Sequence, residues 1–332
     1  MGHQGSGVGS SHTRPSHYGP TLLLGLLGLA ACRPATATPS APIEGPWRLA
    51  APLPTDRSEM PAVELGGRIY VPGGFGGERV LEAYDPARDM WEELPSLPAA
   101  RHHLMATAHG GQLYVFGGGA GLSFNATDDA WVFDPASRAW RELPPMPEPR
   151  FAGAAVALQD LIYIVGGTGG SGATLVFRPA DSAWSTLPAP AHTREHVAGV
   201  ALDGSVWALG GRWGGVGELA SVEIFRPASG DWAIGPPMVV PRAGFAAAVV
   251  DGRLVVAGGE VIMTGRETLG SVEILDPEAG EWSLGPAIPF PVHGVGAAAW
   301  QGAFYLMGGS DRAGAIENVG RVQVLDLGAV LP

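Results

Sequence analysis

The chain has 332 residues, 46% of them hydrophobic, with 51 glycines and 30 prolines, which is enough apolar bulk for a full core and points to many tight turns and an all-β fold. Its 20 basic residues are all arginine and stand against 32 acidic ones, a formal charge of −12. That balance excludes nucleic acid and anionic lipid surfaces as natural partners.

Residues 1–20 are polar, with Arg14 as their single cation, and they lead into the apolar run Leu22 to Ala31. Such a run spans only about 15 Å as a helix, half of a bilayer core, so residues 1–31 read as an export signal and not as a membrane span. The run ends in Leu29-Ala30-Ala31-Cys32, and Cys32 is the only cysteine of the chain. This ending resembles the lipobox of bacterial lipoproteins, which implies lipidation at Cys32 and an exported, envelope-anchored protein. Residues 33–42 lack apolar periodicity, so residues 32–45 read as the lipidated cysteine and a flexible tether ahead of one domain over 46–332. Cleavage after Ala31 removes Arg14 and no acid, leaving 19 minus 32, or −13.

From residue 46 onward the chain repeats. Trp47, Trp91, Trp140, Trp184, Trp232 and Trp282 are each followed, 26 residues later, by a Gly-Gly pair beginning at 73, 117, 166, 210, 258 and 308. The interval from each pair to the next Trp varies from 18 to 24 residues, and the mean repeat is 235/5, or 47 residues. Within the constant interval two apolar stretches flank a two-residue turn such as Gly66-Gly67, Asp203-Gly204 or Asp251-Gly252, which is hairpin chemistry. A third strand ends in Asp85-Pro86, Asp134-Pro135, Arg178-Pro179, Arg226-Pro227 or Asp276-Pro277, six residues before the next Trp, and a fourth begins at that Trp.

Together these features resemble the Kelch repeat over residues 46–327. The resemblance implies a six-bladed β-propeller of four-stranded antiparallel blades. Ala62, Ala106, Ala155, Gly199, Ala247 and Ala297, each 11 residues before a Gly-Gly pair, supply the small side chains that a narrow centre requires. Trp47 opens a fourth strand with no three strands before it, and the last repeat has no Trp after it. The N-terminal strand is therefore expected to complete the last blade and close the ring. The six tryptophans are expected to be core, each costing about 3–5 kcal/mol on truncation to Ala.

Strand direction puts the loops after strand two on the same face as the loops before strand one. The long loops, 119–129, 212–221, 260–271 and 310–320, all lie on that face, as a recognition surface would. Beside them runs a series of arginines, Arg57, Arg101, Arg150, Arg194 and Arg242, broken by Val292, expected mainly to brace the neighbouring blades through loop carbonyls. The next two positions carry Glu59, His103, Glu195 and His196 among others. With Arg57 and with Arg212, Trp213 and Glu260 just beyond their Gly-Gly pairs, these form the candidate ligand-binding set. His102, His103, His196 and His293 come from blades two, four and six, expected to lie far apart, so no metal and no cofactor is expected. Glu82, Glu223 and Glu273 occupy equivalent third-strand positions and read as structural.

No nucleophile and base stand out, so the expected function is a binding module for a protein or glycan at the envelope. The alternative is a carbohydrate-active enzyme. Length, blade number and export resemble those of the sialic acid mutarotases, and this resemblance implies an acid/base and an arginine for a sugar carboxylate, for which Glu195, His196 and Arg212 are the candidates. A copper-radical oxidase of the galactose oxidase kind is disfavoured, because its cysteine would have to be Cys32.

Overall fold

A computed structural model describes residues 1–2, 45–263 and 265–330. The expected export signal, Cys32 and most of the expected tether lie outside these residues. The unit from residue 43 onward carries every strand among the described residues.

Six four-stranded antiparallel sheets form the blades. Their first strands are Val63–Leu65, Met105–His109, Phe151–Leu158, Ala198–Leu202, Ala246–Val250 and Gly296–Trp300. These strands touch one another in ring order, the last against the first, so they surround the axis. The small residues expected at the centre, Ala62, Ala106, Ala155, Gly199, Ala247 and Ala297, all line one axial cavity. In the second and third strands, such as Leu113–Phe116 and Leu81–Tyr84, successive residues are buried on both faces. Each sheet lies between two others, which is why these strands read as continuous apolar runs instead of alternating.

Turn chemistry fixes the spacing from strand one to strand two. Five of the six turn pairs, among them Gly66-Gly67, Asp203-Gly204 and Asp251-Gly252, have φ positive at both residues, as a type I′ hairpin needs; in Gln159-Asp160 only the first does. The Gly-Gly pairs answer a different constraint. At Gly210 and Gly211 φ is +53° and +89°, and a Cβ would lie 2.8 Å from the Arg242 carbonyl or 2.7 Å from the Glu195 carbonyl. Gly211 N–H instead donates to the Arg242 carbonyl at 2.9 Å, and the same bond joins every blade to the next, with Val292 O taking the arginine's place for Gly259 N–H.

The ring closes through the N-terminal strand. Trp47–Ala50 pairs antiparallel with Val322–Asp326, in the register Trp47 with Leu325 through Ala50 with Val322. Each tryptophan of the repeat donates its indole N–H to a carbonyl four residues beyond the tryptophan of the preceding blade. Trp47 bonds Pro286 O, Trp91 bonds Ala51 O and Trp282 bonds Pro236 O. All six pack in or against the apolar clusters between blades, as expected, but to unequal depth: Trp47 is 4% exposed, while the other five are half-buried. All six stand on the outer strand of a blade, but Trp47 also shares its apolar cluster with Leu327 and Val330 of the C-terminal segment, so truncation of the other five should cost less than the full core value.

Four of the five series arginines are buried and Arg101 is half-buried, and they brace their own blades. Arg57 donates to the carbonyls of Val71 and Gly73 and to Glu82 Oε2 at 2.5 Å, and it is fully buried. Arg194 with Glu223 and Arg242 with Glu273 repeat the pattern. Glu82, Glu223 and Glu273 are thus the structural partners of these arginines. Contact with the neighbouring blade runs through the backbone carbonyl of each arginine, not through its side chain.

Candidate functional site

The residue two after each series arginine reaches the axis. Glu59, His103, Ala152, His196, Gly244 and Gly294 all have φ between +51° and +60°. Each N–H donates to the carbonyl of its counterpart in the previous blade, and the six bonds close on themselves, from Glu59 N–H to Gly294 O at 2.6 Å through Gly294 N–H to Gly244 O at 2.6 Å. A cyclic girdle of backbone therefore caps one end of the axial cavity. Side chains grown from it converge, whatever blade they come from. In the left-handed region a non-glycine residue costs about 1–2 kcal/mol, and here it is occupied by Glu59, His103 and His196. Gly294 leaves room for Glu59, since a Cβ there would lie 2.5 Å from Glu59 Oε1.

Convergence brings Glu59 Oε2 within 3.2 Å of His103 Nε2 and 3.8 Å of His196 Nε2, and the two Nε2 atoms within 3.0 Å of each other. The expectation that these histidines lie apart is corrected. Separation was judged by the number of blades between them, whereas near the axis every blade is adjacent to every other. Behind them, His102 Nε2 donates to the Gly121 carbonyl at 2.8 Å, and His102 Nδ1 faces His103 Nδ1 at 2.6 Å. Phe75 stacks on His102 with centroids 4.0 Å apart, and Phe124 meets both imidazoles edge-on, giving this side an apolar wall.

Across the mouth, His196 Nδ1 donates to Glu195 Oε2, and Arg212 Nε donates to Glu195 Oε1 at 2.9 Å. Glu195 and Arg212 face each other because the position after each arginine bridges the position after the Gly-Gly pair in the same blade. Arg212 Nη1 reaches Glu260 Oε1 at 2.6 Å, and His293 Nδ1 lies 3.4 Å from Glu260 Oε2 and 3.6 Å from Glu59 Oε1. His293 Nδ1 is buried and makes no hydrogen bond.

Burial, the largest influence, pushes the His102 imidazole down and that of His103 down to about 3, so both are neutral near pH 7. Burial works against ionised Glu59, but the surrounding histidines outweigh it and hold the carboxyl well below the usual range. At Glu195 burial is again outweighed, by His196 and Arg212, and the carboxyl is held down to about 2. For His293 burial opposes the charged form, and the Glu59 and Glu260 carboxylates outweigh it, so its pKa is raised. Three carboxylates thus face one guanidinium and the His293 imidazole, and the balance stays acidic. The mouth favours cations.

Residues 46–211 match the KLHDC2/KLHL20/DRC7 Kelch-repeats domain, and residues 193–239 and 241–288 match the Kelch motif. The chain belongs to the Kelch-repeat family. No curated protein is significantly similar to it in sequence. The solved structure of YjhT is similar in fold to this Kelch propeller, with a TM-score of 0.73 at 16% identity, covering 82% of this chain and 95% of that one.

Of the residues expected at the mouth of the Kelch propeller, Glu59, His103, Glu195, His196, Arg212 and Glu260 are brought into one contact network. Trp213 sits beside them, exposed, with its ring edge-on to His192. Arg57 does not belong to the mouth: it is enclosed within its blade by Glu82 and backbone carbonyls. His102 and His293, outside the expected ligand set, are part of the network. The sequence signal for both was their place one residue after the arginine position, the same place that Glu195 holds.

Proposed function

We propose that this Kelch propeller is a binding module whose working face is the one bearing the long loops, and that its partner is a protein segment presenting apolar side chains around a basic group. The observation that carries this is the distribution of exposed apolar residues. Among the described residues, six of the 12 exposed large hydrophobics, Leu122, Phe124, Trp213, Val216, Met263 and Ile316, sit on the four long loops of that face. Clustered exposure of this kind costs solubility and marks an interaction surface. Three of these loops carry short β-ribbons, residues 119–126, 212–218 and 260–268, which hold the apolar tips in place. The acidic mouth at their centre selects a cationic group, and the preponderance of aliphatic over aromatic tips favours a peptide over a glycan.

A displayed library of random peptides tests this. Enriched sequences are expected to place apolar residues beside Lys or Arg. Trp213→Ala should weaken an enriched peptide by about 30-fold, the equivalent of about 2 kcal/mol, as for an aromatic anchor. Gln112→Ala, at the strand residue that follows its hairpin turn, and Asp251→Asn, in a hairpin turn, both on the opposite face, should leave it unchanged. No enrichment, or loss of binding only in the opposite-face variants, would overturn the reading.

A second reading, a carbohydrate-active enzyme of the sialic acid mutarotase type, is supported by the contact of Glu195 with both His196 and Arg212. Weighing against it, Arg212 is already held by two carboxylates, Glu195 and Glu260, and the surplus of acid repels a sugar carboxylate. A glycan array with hits confined to acidic sugars would favour the enzyme.

The proposal includes export and a lipid anchor at Cys32. In a bacterial host the wild type should partition with membranes, while Cys32→Ala should remain soluble or uncleaved. Equal partitioning of the two would remove the anchor from the proposal.

A further inference from the structure

We infer that Glu59, His103 and His196 form a binding site on the propeller axis for a divalent first-row transition ion of the Zn2+ class. The argument rests on which nitrogen of each ring carries the hydrogen. His102 Nε2 faces the Gly121 carbonyl at 2.8 Å, and a carbonyl only accepts, so His102 Nε2 carries the hydrogen and Nδ1 of the neutral ring accepts. His103 Nδ1, 2.6 Å from His102 Nδ1, must then be the donor, which leaves His103 Nε2 as a bare lone pair. His196 Nδ1 faces the Glu195 carboxylate and donates to it, so in the neutral ring His196 Nε2 is bare as well. Two lone pairs and a carboxylate oxygen therefore point at one another, 3.0, 3.2 and 3.8 Å apart. Without a metal ion or a proton between them this arrangement is repulsive.

The spacing fits an ion. Bonds of about 2.0–2.1 Å to a tetrahedral Zn2+ put ligand atoms about 3.3 Å apart, in the middle of the three observed separations. The supporting contacts are those that metal-binding histidines use: each imidazole is oriented through its other nitrogen, His196 by a carboxylate and His103 by a second imidazole. Glu59 Oε1, the oxygen turned away from His103 and His196, is approached by buried His293 Nδ1 at 3.6 Å, which has no other hydrogen-bond partner. Two imidazoles and one oxygen disfavour Ca2+ and Mg2+, which take oxygen ligands. Three protein ligands leave a further coordination position, and the three residues line the axial cavity, about 170 Å³ in volume, smaller than a pocket for an organic ligand of about 300 Å³ or more. Solvent or a small anion can occupy that position.

The test uses the full chain, purified without a polyhistidine tag, stripped with a chelator and titrated with Zn2+, Co2+ and Ca2+. One Zn2+ or Co2+ per chain is expected, with visible Co2+ absorption of the intensity given by four-coordinate sites, and no binding of Ca2+. His103→Asn and His196→Asn should each abolish the tight site, and Glu195→Gln should weaken it by about 10–100-fold through loss of the oriented imidazole. His109→Asn, at the far end of its strand, should bind as the wild type does. Far-ultraviolet circular dichroism of each variant separates loss of ligand from loss of fold, and Glu195→Gln keeps the test alive if a histidine variant does not fold. Failure to retain any ion, or stoichiometric binding that persists in folded His103→Asn or His196→Asn, would overturn the inference. The peptide reading is tested at Trp213, an exposed loop-tip residue outside the ion site, and the ion reading by metal stoichiometry without any peptide, so the two readings fail separately.

Discussion

Arg242→Val is expected to destabilise the propeller by about 3–5 kcal/mol, because it strands Glu273 as an unpaired charge at a position with no solvent access. Adding Glu273→Gln should restore a large part of that loss. The reason lies in the sixth blade, where Val292 and Gln323 occupy the positions of Arg242 and Glu273. There Gln323 accepts from Phe290 N–H at 3.0 Å and donates to Phe290 O at 2.9 Å. In blade five Glu273 already accepts from Val240 N–H at 3.0 Å, and Val240 O, now bonded by Arg242 Nε, becomes free for an amide donor when the arginine is removed. The chain thus contains both a charged and a neutral solution to the same packing problem. A double-mutant cycle by chemical denaturation should give a coupling of about 2–3 kcal/mol. Additive losses would show that the carboxylate is not the source of the penalty.

The same pair shows what the sequence could reveal of the fold. The break in the arginine series at Val292 and the glutamine at 323 are one event, visible once third-strand positions are aligned. The constant 26-residue spacing was legible because strand four, the crossing to strand one, and a two-residue hairpin leave no room for insertion, whereas the loop after strand two hangs free in solvent. Ring closure was legible from the unmatched Trp47. Burial of the tryptophans was less so: all six look alike in the repeat, and only the structure shows that Trp47 alone is fully enclosed.

At the site, the gathering of Glu195, Arg212 and Glu260 followed from strand direction, since all lie where strands enter or leave one face. The meeting of Glu59, His103 and His196 did not, because repeat spacing gives order around the ring and says nothing of radius. A sequence signal did exist. At the position two after the arginine, blades five and six carry Gly244 and Gly294, the residues that suit φ near +60°, whereas blades one, two and four carry Glu and His against that preference. Side chains retained where glycine is easiest mark a place where the backbone serves the side chain. Arg57 misled for the opposite reason: a series of like charges resembles a binding ring, but each member is already matched by an internal carboxylate or carbonyl.

Deleting residues 33–52 is expected to lower the melting temperature by many degrees or to abolish folding, while deleting 33–42 should leave it nearly unchanged. The difference is the strand Trp47–Ala50, which supplies the fourth strand of the last blade. Without it, Val322, Val324 and Leu325, now fully buried, stand at an open sheet edge, and the bond from Trp47 Nε1 to Pro286 O, which ties blade six to blade five, is lost. An unpaired edge of that kind also templates association, so the truncated chain should elute as soluble aggregate. Trp47→Ala isolates the side chain from the strand. A buried tryptophan is worth about 3–5 kcal/mol on truncation, and the half-buried Trp140 on the same measure should cost distinctly less. Equal losses for Trp47→Ala and Trp140→Ala in chemical denaturation would mean that closure adds nothing to the ordinary contact between blades. A longer deletion without effect on melting would mean that five complete blades and three strands suffice to hold the ring.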